Sequence, residues 1–285
     1  MARRLLSSRA HADLFEVLTD PDALIRHYLL SRDDIDLIRT RRRAENLLGV
    51  AVHICLLRYP GFGWSDGIMP PAELIAWLQV EACTLDDYAI RRNTRHEHHA
   101  LAMRHLGLSP FGPEHVQQAE DIATMAAFAT DHGVKIVETL VAELRKQHLV
   151  LPSVDTLERL ALKGRARARR EAAAALFDAL SPGQRVQLQA LLVNDPSVGQ
   201  TRLTWLRGYP HSASPASMTA LLDRLKYLRS LNMPPNLGHG LHPDRLLKFA
   251  REGAVAPVSL LNDFGERRRI ATVAAQMADL SITLT

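Results

Sequence analysis

The chain has 285 residues, enough for about two domains that each bury a core. Hydrophobic residues make up 47% of it and charged residues 23%, which excludes wholesale disorder. Aromatic residues are only 5% while leucine and alanine dominate, so helices are favoured over sandwiches or barrels of strands. The longest apolar run, residues 47–57, is shorter than the ~20 residues that span a bilayer, which excludes a membrane protein. With no signal-peptide core near its start, we expect a cytoplasmic protein.

The charged residues are 35 basic against 31 acidic, and the basic side divides into 30 arginines and 5 lysines. The planar arginine fork suits phosphate and the guanine edge, although GC-rich coding produces the same bias without any function. Two cysteines, Cys55 and Cys83, are too few for a disulfide framework or a cysteine zinc site. We expect two reduced, buried thiols.

Helix signals recur along the first half of the chain. Asp20-Pro21 and Ser31 are typical helix starts, and the apolar segment 44–59, stopped by Pro60-Gly61, predicts a buried central helix. Pro70-Pro71 opens another helix. Thr94, with Glu97 three residues on, predicts the capping box of a helix at 94–106. Further helices are predicted at 85–90, 113–130 and 134–148.

The second half continues in the same way after Pro152-Ser153. Helices are predicted at 154–180, 182–193, 201–207, 215–230, 243–252, 257–261 and 266–280, with a break at 194–196. The helix at 215–230 has an apolar face formed by Met218, Leu221, Leu222, Leu225 and Leu228. The predicted fold is all-α, a succession of small helical bundles with helix-turn-helix-like modules. We predict three parts, a helical domain at 1–150, a linker helix with a second module at 151–212, and a third segment at 213–285.

Two basic clusters lie in the first part. Arg41, Arg42 and Arg43 stand at the joint between two predicted helices, and they form either a solvated face or a phosphate contact. The helix 85–90, a turn and the helix 94–106 have the lengths of a helix-turn-helix. One basic face of the second helix, with Arg95, His98, His99 and His105, could enter a major groove, and Arg91 and Arg92 precede it.

The same histidines offer a metal alternative. His96 and His99 are one helical turn apart, but the zinc-protease spacing is absent and no cysteine is near. A helix with surface histidines is the simpler interpretation, and we predict no metal site and no cofactor.

Two further basic clusters follow. The run with Lys163, Arg165, Arg167, Arg169 and Arg170 makes a helix basic on two sides, suited to bridging domains or to lying along a nucleic-acid backbone. A charged exposed helix is the alternative. The segment 201–207 and the helix after it form a second helix-turn-helix-like unit, in which Arg202 and Arg207 are expected as exposed donors. A third, weaker unit is predicted at 245–280.

Motifs for catalysis do not appear in the sequence. It contains no P-loop, no GxSxG, no dinucleotide fingerprint and no cysteine and histidine paired by motif. Nothing in the residues therefore indicates an enzyme.

Six segments in order are similar to the N-terminal region of Tn3-type replicative transposases. They are CLLRYPG at 55–61, NTRHEH at 93–98, LVLPSVDTLERL at 149–160, TRLTWLR at 201–207, HPDRLLKFAREG at 242–253 and ERRRIATVA at 266–274. Each motif is modest, whereas six in the same order are specific. One departure is His96, where the family more often has a second arginine.

The resemblance implies a sequence-specific DNA-binding part of a transposase, which recognises the terminal inverted repeats in double-stranded DNA. It also implies that the RNase H-like catalytic domain of such proteins lies beyond Thr285, so we expect no enzymatic activity here. DNA contacts are expected from Arg91, Arg92, Arg95, His98 and His99 and from Arg202 and Arg207. Phosphate contacts are expected from Arg41 to Arg43 and from Arg165, Arg167 and Arg170. The alternative is a protein-interaction fragment that pairs with itself or inhibits a full-length transposase.

Overall fold

The computed structural model describes residues 5–64, 70–78, 85, 88, 92–208 and 214–283. Across these residues it contains fifteen helices and one hairpin of two very short strands, which confirms the all-α prediction. None of the described helices is both long enough and apolar enough to cross a bilayer.

The chain divides into two compact units. The first comprises described residues of Met1–Ala123 and His132–Lys163, and the second those of Thr124–Asp131 and Gly164–Thr285. Two long helices contribute residues to both units. The three-part division at 150 and 212 stays a prediction.

Two helices of the first half begin where the sequence predicts a start. Asp20 accepts a hydrogen bond from the backbone N–H of Ala23, with Pro21 at the first helical position. Ser31 and Asp34 form a reciprocal capping box. The helices are α1 (Ser8–Phe15), α2 (Pro21–Tyr28), α3 (Arg32–Arg39), α4 (Ala44–Arg58), α5 (Ala72–Trp77), α6 (Arg92–His105), α7 (Pro113–Ala129), α8 (Gly133–Lys146) and α9 (Val154–Asp178).

The remaining elements follow the predicted order. They are α10 (Pro182–Ala190), β1 (Asn194–Asp195), β2 (Gln200–Thr201), α11 (Arg202–Arg207), α12 (Pro215–Ser230), α13 (Pro243–Val255), α14 (Val258–Asn262) and α15 (Glu266–Thr283). Strands β1 and β2 pair antiparallel at and just after the predicted break. The sequence does not predict them, because two residues are too few to show the alternating pattern of a strand. Thr94 is wrong as a helix cap, because α6 begins two residues earlier and Thr94 lies inside its first turn.

Helix α4 is the centre of the first unit, as its apolar sequence predicts. Every residue from Leu48 to Leu57 is buried, and the helix contributes to hydrophobic clusters on two of its sides. It ends at Arg58 with Tyr59 as its C-cap, Pro60 and Gly61 follow, and Gly61 has a φ of 100°. Cys55 is a free, fully buried thiol on this helix, and burial raises its pKa to about 12. Cys83 lies outside the described residues.

Gly49 on α4 lies against the ring of Tyr88. A Cβ built at Gly49 would stand 1.9 Å from Tyr88 Cε2, and that ring is buried, so it cannot move aside freely. We expect Gly49→Ala to lower the free energy of unfolding by about 1 to 3 kcal/mol through overpacking. Gly183→Ala in α10, where a Cβ meets open space, is the matched control, and thermal unfolding compares the two. Equal melting temperatures for both variants would contradict the close contact.

The core of the second unit is built on α15. The helix is buried continuously from Ile270 to Met277 and packs most extensively against α13. Helix α12 buries less than its sequence predicts, since Leu228 is buried while Met218 is 59% and Leu222 48% exposed. Its predicted apolar face is therefore only partly covered by the rest of the unit.

Several arginines bind backbone carbonyls at or just beyond the C-terminal ends of helices. Carbonyls at these positions lack the N–H four residues on that a continuing helix would supply, and a guanidinium can donate to them. The pairs are Arg145 with Pro60, Arg185 with Phe177, Arg207 with Ala256, Arg224 with Trp205 and Arg245 with Ala127. Part of the arginine content thus holds helices in place.

Candidate nucleic-acid interface

The predicted cluster at 41–43 lies where α3 ends and α4 begins. The hydroxyl of Thr40 donates to the Leu37 carbonyl oxygen at 2.6 Å and closes α3, and Arg43 has the extended backbone of a helix N-cap. Arg42 and Arg43 are exposed, whereas Arg41 is half-buried and its Nε donates to the Thr40 hydroxyl. The joint therefore presents two exposed guanidinium groups next to each other.

The predicted basic face of α6 is turned inward, so its expected exposure is wrong. His98 is only 4% exposed, and its Nδ1 is hydrogen-bonded to the Tyr88 hydroxyl at 2.9 Å. The guanidinium of Arg95 lies 5.2 Å from the centre of the Trp64 ring. The aromatic rings offer flat surfaces on which imidazole and guanidinium groups stack. The sequence of α6 alone does not reveal these partners, because they come from other parts of the chain.

A buried histidine of α4 faces the same cluster. His53 is 1% exposed, neither of its ring nitrogens is hydrogen-bonded, and its ring centre lies 5.6 Å from that of His99. Burial lowers the pKa of His53 to about 3 and also lowers the pKa values of His98 and His99. These imidazoles are neutral at physiological pH and add no charge that could attract phosphate.

His105, the last residue of that face, belongs to an ion-pair network around Asp34. His105 Nε2 lies 2.8 Å from Asp34 Oδ1, and Arg58 Nη2 lies 2.7 and 2.6 Å from the two carboxylate oxygens. Burial alone would raise the pKa of Asp34, but the hydrogen bonds from Arg58, Ser31 and His105 lower it overall. The sequence predicts the helix start at Ser31 but not the partners of Asp34, which lie 24 and 71 residues away.

Apart from Lys163, the α9 cluster lies in the second unit. Arg170 is exposed, Arg165 is half-buried, and Arg167 Nε is 2.7 Å from Glu171 Oε1. Arg169, on the opposite side of the helix, binds Glu252 of α13. The helix is therefore basic on two sides as predicted, with one of those sides bound inside the unit.

The two predicted donors of α11 are both engaged. Arg202 binds the Asp195 carboxylate and the Ser197 hydroxyl, and it lies 5.2 Å from each of the Trp205 and Tyr227 ring centres. Arg207 donates to the carbonyl oxygens of Ala256 and Gly253 inside the unit. Its expected role as an exposed donor is wrong, because these carbonyls follow or end α13 and require a partner.

Other predicted positions lie outside the described residues. They are Arg91, the side chain of Arg92 and most of the predicted helix 85–90, so the predicted helix-turn-helix at 85–106 stays a prediction. Within the described part of the chain, no three histidine, cysteine or acidic side chains come together to hold a metal ion. The candidate interface thus reduces to exposed arginines at the α3–α4 joint and on α9.

Comparison with known proteins gives matches along the whole chain. Residues 5–164 match the family described as Domain of unknown function (DUF4158). The chain is 34% identical over 287 residues to the transposase for transposon Tn3926 of Escherichia coli, a match that covers 99% of this chain. It is also 34% identical over 289 residues to the transposase for transposon Tn501 of Pseudomonas aeruginosa, which covers 100% of it. The chain spans about 29% of the length of these two relatives.

Proposed function

Since the chain belongs to the DUF4158 family and to the N-terminal region of Tn3-type transposases, we propose that it is the DNA-binding part of a transposase, which recognises the terminal inverted repeats of its transposon. The observation that carries this proposal is the match to two transposases. It covers 99% to 100% of this chain and 29% of the length of each transposase. Strand transfer then belongs to the remaining length of such a protein, and this part binds DNA without catalysing a reaction. We place it in the cytoplasm, associated with the nucleoid when bound to DNA.

Exposed arginines support the DNA part of the proposal. Arg42 and Arg43 in the first unit and Arg170 in the second present guanidinium groups to solvent, where they can pair with backbone phosphates. Arg43 Nη1 lies 3.9 Å from Glu45 Oε1, a loose pair at an exposed position, whereas Arg167 and Arg202 can join them only by exchanging a close carboxylate for a phosphate. His98 and Arg207 serve the fold instead, because their partners lie inside their own units.

The deciding experiment is fluorescence anisotropy at two salt concentrations. It compares a duplex bearing the inverted repeat that flanks the gene for this chain with a scrambled duplex of the same composition. Tighter binding to the repeat at both salt concentrations supports specific recognition. Equal binding that weakens steeply with salt reduces the proposal to phosphate contact, and no binding to either duplex refutes it.

The α3–α4 joint gives a sharper prediction. The double variant Arg42→Ala/Arg43→Ala is expected to weaken binding to both duplexes alike. It is also expected to reduce the slope of log affinity against log salt by about 2, because each lost phosphate contact removes ~0.9 from the slope. The double variant Arg9→Ala/Arg26→Ala removes the same charge from exposed positions on α1 and α2. The same reduction in both variants would mean that net charge, and not the joint, determines the affinity.

The alternative of an interaction fragment has one observation in its favour. Met218 and Leu222 are exposed one turn apart on α12, as a helix that pairs with another protein requires. In this second proposal the partner is another copy of the chain or a full-length transposase. Light scattering with and without duplex measures the oligomeric state. The expected result is a dimer that forms without DNA and that dissociates more readily in the variant Met218→Gln/Leu222→Gln.

A further inference from the structure

Four basic side chains and two carboxylates form two ion-pair groups in the second unit, which α13 brings into one cluster because it contributes to both. They come from the segment just after α7 and from α9, α13 and α15. The basic members are Arg169, Arg245, Lys248 and Arg268, and the acidic members are Asp131 and Glu252. Of these, Arg169 and Arg268 belong to basic runs in the sequence, at 163–170 and at 267–269.

Glu252 joins α13 to two other helices. Arg169 Nη2 lies 2.7 Å from each of its carboxylate oxygens, and Arg268 Nη2 lies 2.6 Å from Oε1. Burial would raise the pKa of Glu252, but the two guanidinium groups lower it overall. The carboxylate is therefore ionised at neutral pH and already shared between two cations.

Asp131 is shared in the same way. Arg245 Nη1 lies 2.8 Å from Asp131 Oδ1, and Lys248 Nζ contacts Oδ2. Arg245 is 3% exposed and also donates to the carbonyl oxygens of Ala127 and Thr130, so it anchors α13 to the end of α7. Arg245 is thus the structural member of the cluster.

The charges of the cluster do not balance. Four cations stand against two carboxylates, which leaves two positive charges. The cations also act on one another, since the charge of Arg169 adds to burial in lowering the pKa of Arg245. The side chains of Arg169, Lys248 and Arg268 are 36%, 46% and 38% exposed, so the excess charge can reach a ligand from solvent. An anion placed there would relieve the repulsion.

We propose that Arg169, Lys248 and Arg268 bind backbone phosphates of double-stranded DNA, held in position by Glu252 and Asp131. This inference rests on the proposed function and adds a second contact surface to it. Because successive phosphates of a duplex are evenly spaced, a cluster fixed by ion pairs can engage more than one of them.

Lysine acetylation of the unaltered chain tests this inference. The chain has five lysines, and mass spectrometry follows each one separately. Lys146 and Lys226 are internal controls, because each is exposed and paired with a carboxylate three residues earlier on its own helix. On saturation with duplex, acetylation of Lys248 is expected to slow several-fold, while that of Lys146 and Lys226 stays unchanged. Inorganic phosphate at the same phosphate concentration is expected to protect Lys248 far less.

The outcomes separate this inference from the proposed function. If anisotropy shows bound duplex but Lys248 reacts as fast as before, the cluster is structural and only this inference fails. If free phosphate protects Lys248 as well as the duplex does, the site takes a small anion and the DNA assignment fails. If the chain binds no duplex, the proposed function fails with it.

A substitution series gives an independent measurement. The triple variant Arg169→Gln/Glu252→Gln/Arg268→Gln removes one net positive charge and leaves amides that can still hydrogen-bond one another. It is expected to reduce the salt slope of duplex binding by about 2, for two lost phosphate contacts. Arg9→Gln, with the same net charge change on α1, is expected to leave the slope near that of the unaltered chain. Equal slopes in the two variants would overturn the proposal.

Discussion

Replacing Asp34 with alanine is expected to lower the free energy of unfolding by about 3 to 5 kcal/mol, the usual effect of removing one partner from a buried ion pair. The side chain of Asp34 is completely buried and binds both Arg58 and His105. Without the carboxylate, these two groups stay partly buried and face each other. The change also removes the capping-box bond to the Ser31 backbone N–H and so weakens the start of α3.

Urea unfolding at pH 7 measures this effect, with Asp33→Ala as the matched control. Asp33 is an exposed neighbour in the same first turn of α3, so its removal is expected to change stability by only about 0.5 kcal/mol. If Asp34→Ala were no more harmful than Asp33→Ala, the network that joins α3, α4 and α6 would contribute nothing to stability.

Acid is expected to destabilise the first unit through His53. Burial, assisted by His99, His98 and Arg95, lowers the pKa of His53 from 6.5 to about 3 in the folded chain. The unfolded chain therefore takes up a proton that the folded chain refuses, and the free energy of unfolding falls as the pH falls from 6.5 to about 3. At pH 3 this group alone would remove about 4 kcal/mol.

His53→Leu separates this effect from other acid effects. Because neither ring nitrogen of His53 is hydrogen-bonded, the substitution is expected to be neutral or stabilising at pH 7. Below pH 6.5 the variant is expected to lose stability much less steeply than the unaltered chain. His96→Gln, on the exposed side of α6, serves as the control and should keep the original pH dependence. Parallel pH profiles for all three chains would contradict a buried, neutral His53.

The sequence predicts most of the fold because its signals are local. Pro21 after Asp20, the helix start at Ser31 and the apolar run of α4 each depend on residues within a few positions, and the structure confirms all three. The resemblance to Tn3-type transposases, drawn from six short motifs, is confirmed by the match over the whole chain. Each motif is modest alone, and the six become specific because they occur in the same order along the chain.

The candidate site is predicted less well because exposure depends on partners that are distant in sequence. The basic face of α6 suggests a recognition helix, yet Trp64, Tyr88 and His53 cover it. Arg207 looks like an exposed donor until the end of α13, almost 50 residues later, presents its carbonyls. Helical spacing shows which residues share a face, but packing decides whether that face meets solvent.

The arginines that bind helix carbonyls have a consequence for mutagenesis and for protein engineering. Arg145, Arg185 and Arg207 each direct guanidinium N–H groups at carbonyl oxygens, a geometry that the single ammonium of lysine does not reproduce. Exchange of all arginines for lysine would preserve the net charge and its attraction to phosphate while releasing these helix ends. A charge-conserving library is therefore not a fold-conserving one in this chain, and arginine positions should be varied one at a time.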